Sequence, residues 1–580
     1  MKANQKDKLF YAGREIKTSN SAGILNWVKY ADQSLDYFIT KSIGLNGPEG
    51  TSKKNKEYWN GCLTREGWSP PVMTHGYQKG LEYYVNRMGL PNPGVQNMIK
   101  EIKEYKGGTL LIISLFGNDE ELKRMIRLFE KEAGKKITGY EINKSCPNTH
   151  ACDPNFTSEI NKIKKQIKNL RRLVDKKLFV KLSPTVNAAD YMKAFKEAGA
   201  DAVTISNTVP CKVINKYSGK KIITGGLSGR ILLEHTLANT QKASKINNLA
   251  INFSGGVNTA YEAALAVKAG ATTIQLGSVY AGKTPAEIKE FNKEFKKEAY
   301  KELKKIKEEI TFKEPEWVNN IKWDDEEGRD VLTLINDEHK EYTVTKMVKE
   351  SSDTSTIIFN KEIKHRAGQY LMVLLWKDEK PMERPFTLSS NNSITVKKRG
   401  ETSEALCQLK PSDKIYIRGP YGNGYPIEIE GKNVLLVGGG CGTASFPDLM
   451  KKVKASYTTY TGYKNENEVL QKNEKELIKK SIQYKGFIGS VFPCEVLNNC
   501  NFDYVITCGP EPMMKAVAKE AVKQGVPEDK VLLSLEEIIK CGYGLCYSCD
   551  RGEPLCLTGP VTTWGKAKHF YKRDKSGAKK

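Results

Sequence analysis

AINFSGGVNTAYEAALAVKAGATTIQLGS, residues 250–278, carries one complete structural unit. A short β-branched run ends in two glycines, an alanine-rich amphipathic stretch follows, and a second apolar run ends in Gly-Ser. Strand, turn, helix and strand in that order belong to a parallel α/β fold, because parallel neighbours need a long crossover between them. Six further strand candidates precede it: SAGI (21–24), YFITKSI (37–43), TLLIISLFG (109–117), GYEINKSCPN (139–148), LFVKLSP (178–184) and AVTISNT (202–208). Helical stretches such as DEELKRMIRLFEKEAG (119–134) follow several of them. Eight strand–helix units within residues 1–312 make a (β/α)8 barrel. Its polar and special residues gather at the C-terminal strand ends, where such a barrel keeps its active site.

The pattern then changes. Residues 313–340 are charged, show little periodicity and read as a linker. Residues 341–430 alternate as short strands, YTVTKMV, STIIFN, YLMVLLW, SITVKKR and KIYIRG, which predicts a small antiparallel β-barrel. Residues 431–535 return to α/β character, opening with NVLLVGGGCGTASFPDLMKKV (433–453), a strand, a glycine turn and a helix. A cysteine-rich loop spans 536–565, and a Lys-rich tail, expected to be mobile, spans 566–580.

With 580 residues, 39% of them hydrophobic and 28% charged, the chain can build several cores. The net charge of +24 raises nucleic acid as a partner. The lysines, however, lie along helical stretches such as NKIKKQIKNLRRLVDKK and EFNKEFKKEAYKELKKIKEEI, mixed with acids in the second. With no arginine-rich arm or nucleic-acid motif, the charge reads as composition, and no nucleic-acid partner is expected. No apolar run reaches the 18 or so residues of a membrane span, so no membrane partner is expected either, and MKANQKDKLFYAG lacks the apolar core of a signal peptide. Thirteen cysteines without a secreted framework suit a cytoplasmic location.

Four of those cysteines, Cys541, Cys546, Cys549 and Cys556, sit in CGYGLCYSCDRGEPLC with spacing C-x4-C-x2-C-x6-C. The first three follow the plant-type [2Fe–2S] spacing, and Gly542 and Gly544 let a loop wrap a cluster closely. A disulfide hairpin and a zinc site are the alternatives, and zinc prefers paired C-x2-C knuckles. The cluster reading makes the chain an electron carrier.

In the barrel half, EINKSCPN (141–148) occurs with TKS (40–42), NRMGLPN (86–92), VKLSP (180–184), SNT (206–208), GGLSG (225–229), SGG (254–256) and LGS (276–278). In this order and at these strand ends, the motifs resemble the class 1 dihydroorotate dehydrogenases. That resemblance implies an FMN enzyme oxidising dihydroorotate in de novo pyrimidine synthesis. Removing a hydride from one ring carbon requires a base for the proton on its neighbour, and the resemblance gives that role to Cys146. Asn86, Asn143, Asn148 and Asn207, with Thr208 beside them, match the substrate-binding positions, where amides can both donate to and accept from a flat carboxylated ring. Lys41 and Lys181 match the flavin lysines, Gly229 belongs to the same flavin set, and Gly255, Gly256, Gly277 and Ser278 match the phosphate cradle. An insertion over residues 45–85, Arg87 and Lys144 depart from the family pattern.

Behind the barrel, RPFTLSS (384–390) resembles the FAD motif of ferredoxin reductase-like proteins. The resemblance assigns Arg384 to a pyrophosphate, Phe386 to packing on the cofactor and a hydroxyl of Thr387 or Ser389 to the flavin ring. Gly400, Thr402 and Ser403 of RGETS also fall to the pyrophosphate. Gly438, Gly439, Gly440 and Gly442, with Cys508 and Gly509 of CGPEPM, match the NAD side. FAD barrel, nucleotide lobe and [2Fe–2S] loop in this order resemble the electron-transfer subunit of NAD-linked dihydroorotate dehydrogenase, here fused behind its catalytic barrel. The x6 before Cys556 is shorter than that subunit's pattern. The implied path runs from dihydroorotate through FMN, the cluster and FAD to NAD, and related barrels imply a homodimer. Another dihydropyrimidine of the dihydrouracil type as substrate, or an NADH-dependent diaphorase, are the alternative functions.

Overall fold

The computed structural model describes residues 9–11, 14–22, 24–25, 28–45, 72–88, 92–144, 160–246, 249–478, 482–487 and 502–573. The chain forms two compact units that divide between Asp337 and Glu338, except that Leu545–Tyr547 is grouped with the first.

In the first unit eight parallel strands close into a barrel: Arg14–Asn20, Tyr37–Ile39, Leu110–Leu115, Ile137–Asn143, Lys177–Lys181, Ala202–Ile205, Ala250–Ser254 and Thr273–Leu276. Closure comes from the last strand pairing with the first, Thr273 to Lys17 through Leu276 to Asn20. The middle strands are buried almost continuously, as expected of parallel strands covered by helices. Helix Asp119–Ala133 shows how the covering layer is specified. Asn118 and Glu121 form a reciprocal capping box, and Leu122, Met125, Ile126, Phe129 and Ala133 bury one helical face.

The first barrel strand is REIKTSN, not the following SAGI. Its charged and polar residues conceal it from an apolar-run reading. The structure pairs them instead: Thr18 donates through N and Oγ1 to Asp36 Oδ2 at 2.7 and 3.1 Å, and the Asn20 amide bonds both N and O of Ile39. Residues 313–340 are not a linker either. Strands Ile321–Asp324 and Arg329–Asn336 join a six-stranded sheet with Val209–Asn215, Lys221–Ser228, Leu81–Asn86 and Met73–Gln78. The charge that suggested a linker belongs to a hairpin turn whose acids pair with Lys212 and Lys221, while Val331, Leu332 and Leu334 are buried.

The second unit begins with a closed antiparallel barrel of strands Lys340–Lys349, Thr354–Phe359, Tyr370–Lys377, Lys380–Ser390, Ser393–Lys397 and Lys414–Tyr421. A second sheet follows in the order Ile482–Phe487, Ser456–Tyr463, Asn433–Gly439, Tyr504–Cys508, Val531–Ser534 and Val561–Thr563. It is parallel except for the last strand. The supposed tail from 566 is helical as far as Arg573, within helix Trp564–Arg573, because Trp564 and Ala567 pack into the core of this lobe. Residues 574–580 lie outside the described residues. Among the described residues no helix is long and apolar enough to cross a membrane.

A mobile tail and a docked helix differ measurably. Trp564→Ala is expected to lower unfolding stability by about 3 kcal/mol in chemical denaturation, as for other buried aromatics, and an unchanged midpoint would return this segment to the status of a tail.

Candidate functional site

Barrel closure brings the C-terminal strand ends to one rim. Asn143 stands opposite Lys181, and Lys181 opposite Thr204, in parallel register. Lys41, Asn143 and Lys181 are all buried. Asn143 Nδ2 donates to Ser42 Oγ at 2.9 Å, and its Oδ1 accepts from Asn207 Nδ2 at 3.2 Å. Asn207 Oδ1 in turn accepts from the Thr208 N–H at 2.9 Å. Asn143, Asn207 and Thr208 are therefore brought together with Ser42, an arrangement whose amides can exchange these internal bonds for those of a planar ligand. Asn86 ends a strand of the accompanying sheet, where its amide donates to Gly226 O at 3.3 Å and accepts from the Met88 N–H. Cys146 and Asn148 lie outside the described residues.

After the seventh strand Gly255 and Gly256 take φ of +131° and +89°. A Cβ on Gly256 would lie 2.5 Å from Leu233 N, so only glycine fits beside the start of helix Leu233–Ser244. Gly277 follows the eighth strand, where the Ser21 N–H donates to Leu276 O and Ser21 Oγ lies 3.2 Å from Ser254 Oγ. Ser278 opens the short turn Ser278–Tyr280. This open-backbone cradle at the ends of strands seven and eight fits a phosphate group. Gly229 takes a φ of +107°, and a Cβ there would stand 2.8 Å from Glu82 O, so this position requires glycine.

One residue escaped the sequence reading. Glu141 is fully buried in the barrel interior and accepts from Thr204 Oγ1 at 2.8 Å and Gln275 Nε2 at 3.3 Å. The signal was present as a carboxylate inside an otherwise apolar strand, two residues before Asn143.

In the second unit, Arg384, Pro385, Phe386 and Thr387 are four successive half-exposed residues on strand Lys380–Ser390. A strand with one covered face should alternate, so this run leaves surface open on both faces. Burial lowers the Arg384 guanidinium's pKa from its ordinary value. Ser389 Oγ lies 3.0 Å from Ser393 Oγ. Gly400 precedes helix Glu401–Cys407, Thr402 is buried, and the Ser403 hydroxyl accepts from the Arg399 and Gly400 N–H groups at 2.8 and 3.1 Å.

Gly438 and Cys508 stand side by side at the ends of neighbouring parallel strands. Behind them the backbones nearly touch: a Cβ on Gly442 would lie 2.4 Å from Cys508 O, and one on Gly509 would lie 2.9 Å from Gly439 Cα. A Cβ on Gly439 would meet Met513 Sδ at 2.6 Å, whereas the space beside Gly440 is open. Five of these glycine and cysteine positions, Gly438, Gly439, Gly442, Cys508 and Gly509, thus pack against one another or their neighbours, and only Gly440 of the set has open space beside it. Burial pushes the Cys508 thiol up to about 11.

Cys541, Cys546, Cys549 and Cys556 are buried and none is in a disulfide. Hydrogen bonds to Cys541 and Cys549, with burial, hold the Cys556 thiol well above its ordinary value, which places these three sulfurs together. Backbone N–H groups of Tyr543, Gly544 and Cys556 point at Cys541, Cys556 and Cys549 Sγ at 3.3, 3.2 and 3.3 Å. Among the described residues no group of three or more His, Cys, Asp or Glu could hold a single metal ion. A binuclear cluster makes a different demand, for sulfurs spread over two irons with amide donors directed at them, and this loop has that donor set. A cavity of about 550 Å³ among Glu362–Ala367, Tyr425 and Lys452 involves none of these residues.

Residues 61–298 match the family model described as dihydroorotate dehydrogenase. A Methanocaldococcus jannaschii protein described as "Probable dihydroorotate dehydrogenase B (NAD(+)), electron transfer subunit" is 35% identical over 257 residues, covering 41% of this chain and 96% of its own length. The corresponding subunit of Caldanaerobacter subterraneus is 35% identical over 227 residues, covering 33% of this chain and 89% of its own. A solved Eimeria tenella DHODH structure with ferulenol aligns over 53% of this chain and 85% of that chain, at 17% identity and a TM-score of 0.38.

Gly256→Ala combines a left-handed φ with a backbone clash, and is expected to cost about 2 kcal/mol or more in thermal or chemical unfolding; a wild-type midpoint would show that the rim relaxes easily.

Proposed function

The chain belongs to the family of dihydroorotate dehydrogenase B (NAD(+)) electron transfer subunits, and we propose that it oxidises dihydroorotate to orotate in de novo pyrimidine synthesis, passing the electrons to NAD(+). The observation that carries this reading is that two complementary matches share one polypeptide. Relatives matched over nearly their whole length account for 41% of the chain, and the dehydrogenase model occupies residues 61–298. Substrate oxidation and reduction of the nicotinamide acceptor are thereby carried by a single chain.

Oxidation takes two electrons and two protons from neighbouring ring carbons, so the barrel must bind a flat anion and accept a proton at one atom. Asn143 and Asn207, with Asn86 and Asn148, bind the ring through donor and acceptor edges, and Thr208 orients Asn207 through its N–H. Cys146 Sγ takes the proton, since the thiolate is the basic form of a cysteine. Gly255, Gly256, Gly277 and Ser278 would hold the phosphate of FMN, and the buried lysines Lys41 and Lys181 would favour negative charge on its ring.

In the second unit Arg384, Phe386, Thr387 and Ser389, with Gly400, Thr402 and Ser403, hold FAD, and the Gly438–Gly442 and Cys508–Gly509 edges receive the nicotinamide dinucleotide. Cys541, Cys546, Cys549 and Cys556 hold a [2Fe–2S] cluster. When bound, these groups would supply hydride acceptance at the flavin, single-electron carriage at the cluster and two-electron reduction of NAD(+). The residues' contribution is to keep each group dry and oriented.

Adding dihydroorotate anaerobically to the flavin-loaded protein is expected to bleach the visible flavin absorbance, and NAD(+) is expected to restore it. A loaded protein that stays yellow would refute the substrate. Cys549→Ser should leave dihydroorotate able to bleach the barrel flavin while NADH formation is lost; normal NADH formation would take the cluster out of the path.

A further inference from the structure

Arg418 is among the largest fully buried side chains of the protein, and nothing in the sequence marked it. It lies on strand Lys414–Tyr421 of the antiparallel barrel. Its Nε and Nη2 bind the two oxygens of Glu383 at 2.7 and 3.0 Å. Nη1 donates to the carbonyl of Cys541 at 2.7 Å and to the Tyr421 hydroxyl at 3.3 Å, and Nη2 reaches Lys540 O at 3.5 Å. All five donors of the guanidinium are used. The rings of Tyr543 and Tyr421 lie 5.0 and 5.5 Å from its Cζ, and both phenols donate to Glu338 Oε1, at 2.5 and 2.9 Å. His339 Nε2 lies 2.7 Å from the same Glu383.

The two ends of this arrangement fall on the two redox sites of the unit. Glu383 immediately precedes Arg384, the first residue of the run placed on FAD, and Cys541 is the first of the four cysteines. One planar fork therefore ties the backbone of a cluster cysteine to the strand that presents the flavin residues. It also sets a positive charge against the cluster loop, in a dry environment where that charge is little screened.

We propose that Arg418 is a positioning residue for electron transfer between the iron–sulfur cluster and FAD, fixing Cys541 against strand Lys380–Ser390 and setting the cluster's reduction potential, with Glu383 as its counter-charge. The proposal rests on the reading that the four cysteines hold a cluster. A reduced cluster carries one more negative charge than an oxidised one, so the nearby guanidinium favours reduction and Glu383 moderates that effect.

Two variants separate charge from geometry. Glu383→Gln keeps the side chain's shape and one acceptor but removes the counter-charge, so the cluster's midpoint potential should rise in a redox titration. Arg418→Lys keeps a charge but has no planar fork to span Glu383 and the Cys541 carbonyl. In it the electron paramagnetic resonance spectrum of the reduced cluster should shift. Cluster reduction by NADH should slow about tenfold more than FAD reduction does, the order of one charge-assisted hydrogen bond. A structural role alone would leave potential and spectrum where they are, and wild-type values of both in both variants would overturn the proposal. If Arg418→Lys fails to fold, the potential of Glu383→Gln decides it, and an unchanged potential overturns it. Wild-type protein that takes up iron and sulfide yet shows no reduced-cluster signal would instead strike the cluster reading, and this proposal with it.

Discussion

Parallel strands stop pairing on a common side, and the side chains and free backbone groups left at that edge have no partners within the sheet. Candidate site residues of both units stand there, Asn143 and Lys181 in the first and Gly438 and Cys508 in the second. In the first unit the edge is a closed ring, so residues far apart in sequence become neighbours across it. Asn143, at the end of the fourth strand, bonds Ser42 beyond the second and Asn207 beyond the sixth. The interior below follows the same rule of alternate strands. Thr204 and Gln275, from strands six and eight, both donate to Glu141 on strand four, where such barrels usually stack branched aliphatics.

In the second unit the edge is open and its constraint is steric. Gly438 and Cys508 end side by side, and the turns that follow approach so closely that Gly442 and Gly509 admit no Cβ. Glycine there lets two strand ends share one crevice before it serves any ligand. A Cβ on Gly440 would meet nothing within 4 Å, so the steric constraint falls on its neighbours and not on it.

What was legible in the sequence was whatever repeats or carries a spacing. Seven of the eight barrel strands are apolar runs bounded by glycine or polar turns, and the cysteine spacing needed no fold at all. The strand Arg14–Asn20 was missed because Asp36 and the backbone of Ile39 partner its polar side chains, and a partner distant in sequence leaves no local pattern. Residues 321–336 were missed because alternating charge on an exposed strand face resembles a charged linker. Trp564 and Ala567 anchor a helix that lysine-rich composition made look like a tail. Within the site, Lys41 and Lys181 could be told from the many other lysines only through their motifs, and the structure buries both. Glu141 opens the EINKSCPN motif but only its later residues suggested a role, and Arg418 lay outside the motifs altogether.

Arg418 and Glu383 also show why buried charge is a poor guide to stability. Desolvating two ions costs several kcal/mol each, and their attraction often does no more than offset it, so an apolar pair of similar volume would hold the barrel as well. An apolar pair could not bind a carbonyl. Burial alone would raise the pKa of Glu383, yet Arg418 and His339 together hold it below its ordinary value, so the carboxylate stays ionised and keeps the guanidinium fork aligned. With two donors on Glu383, a third is directed at Cys541 O and can shift little without breaking the other bonds. The geometry of the cluster loop is consequently tied to strand Lys380–Ser390 by bonds that lose strength steeply with misalignment. Such a tie contributes little net stability but much definition of position, which is the property that transfer of an electron between two fixed groups requires.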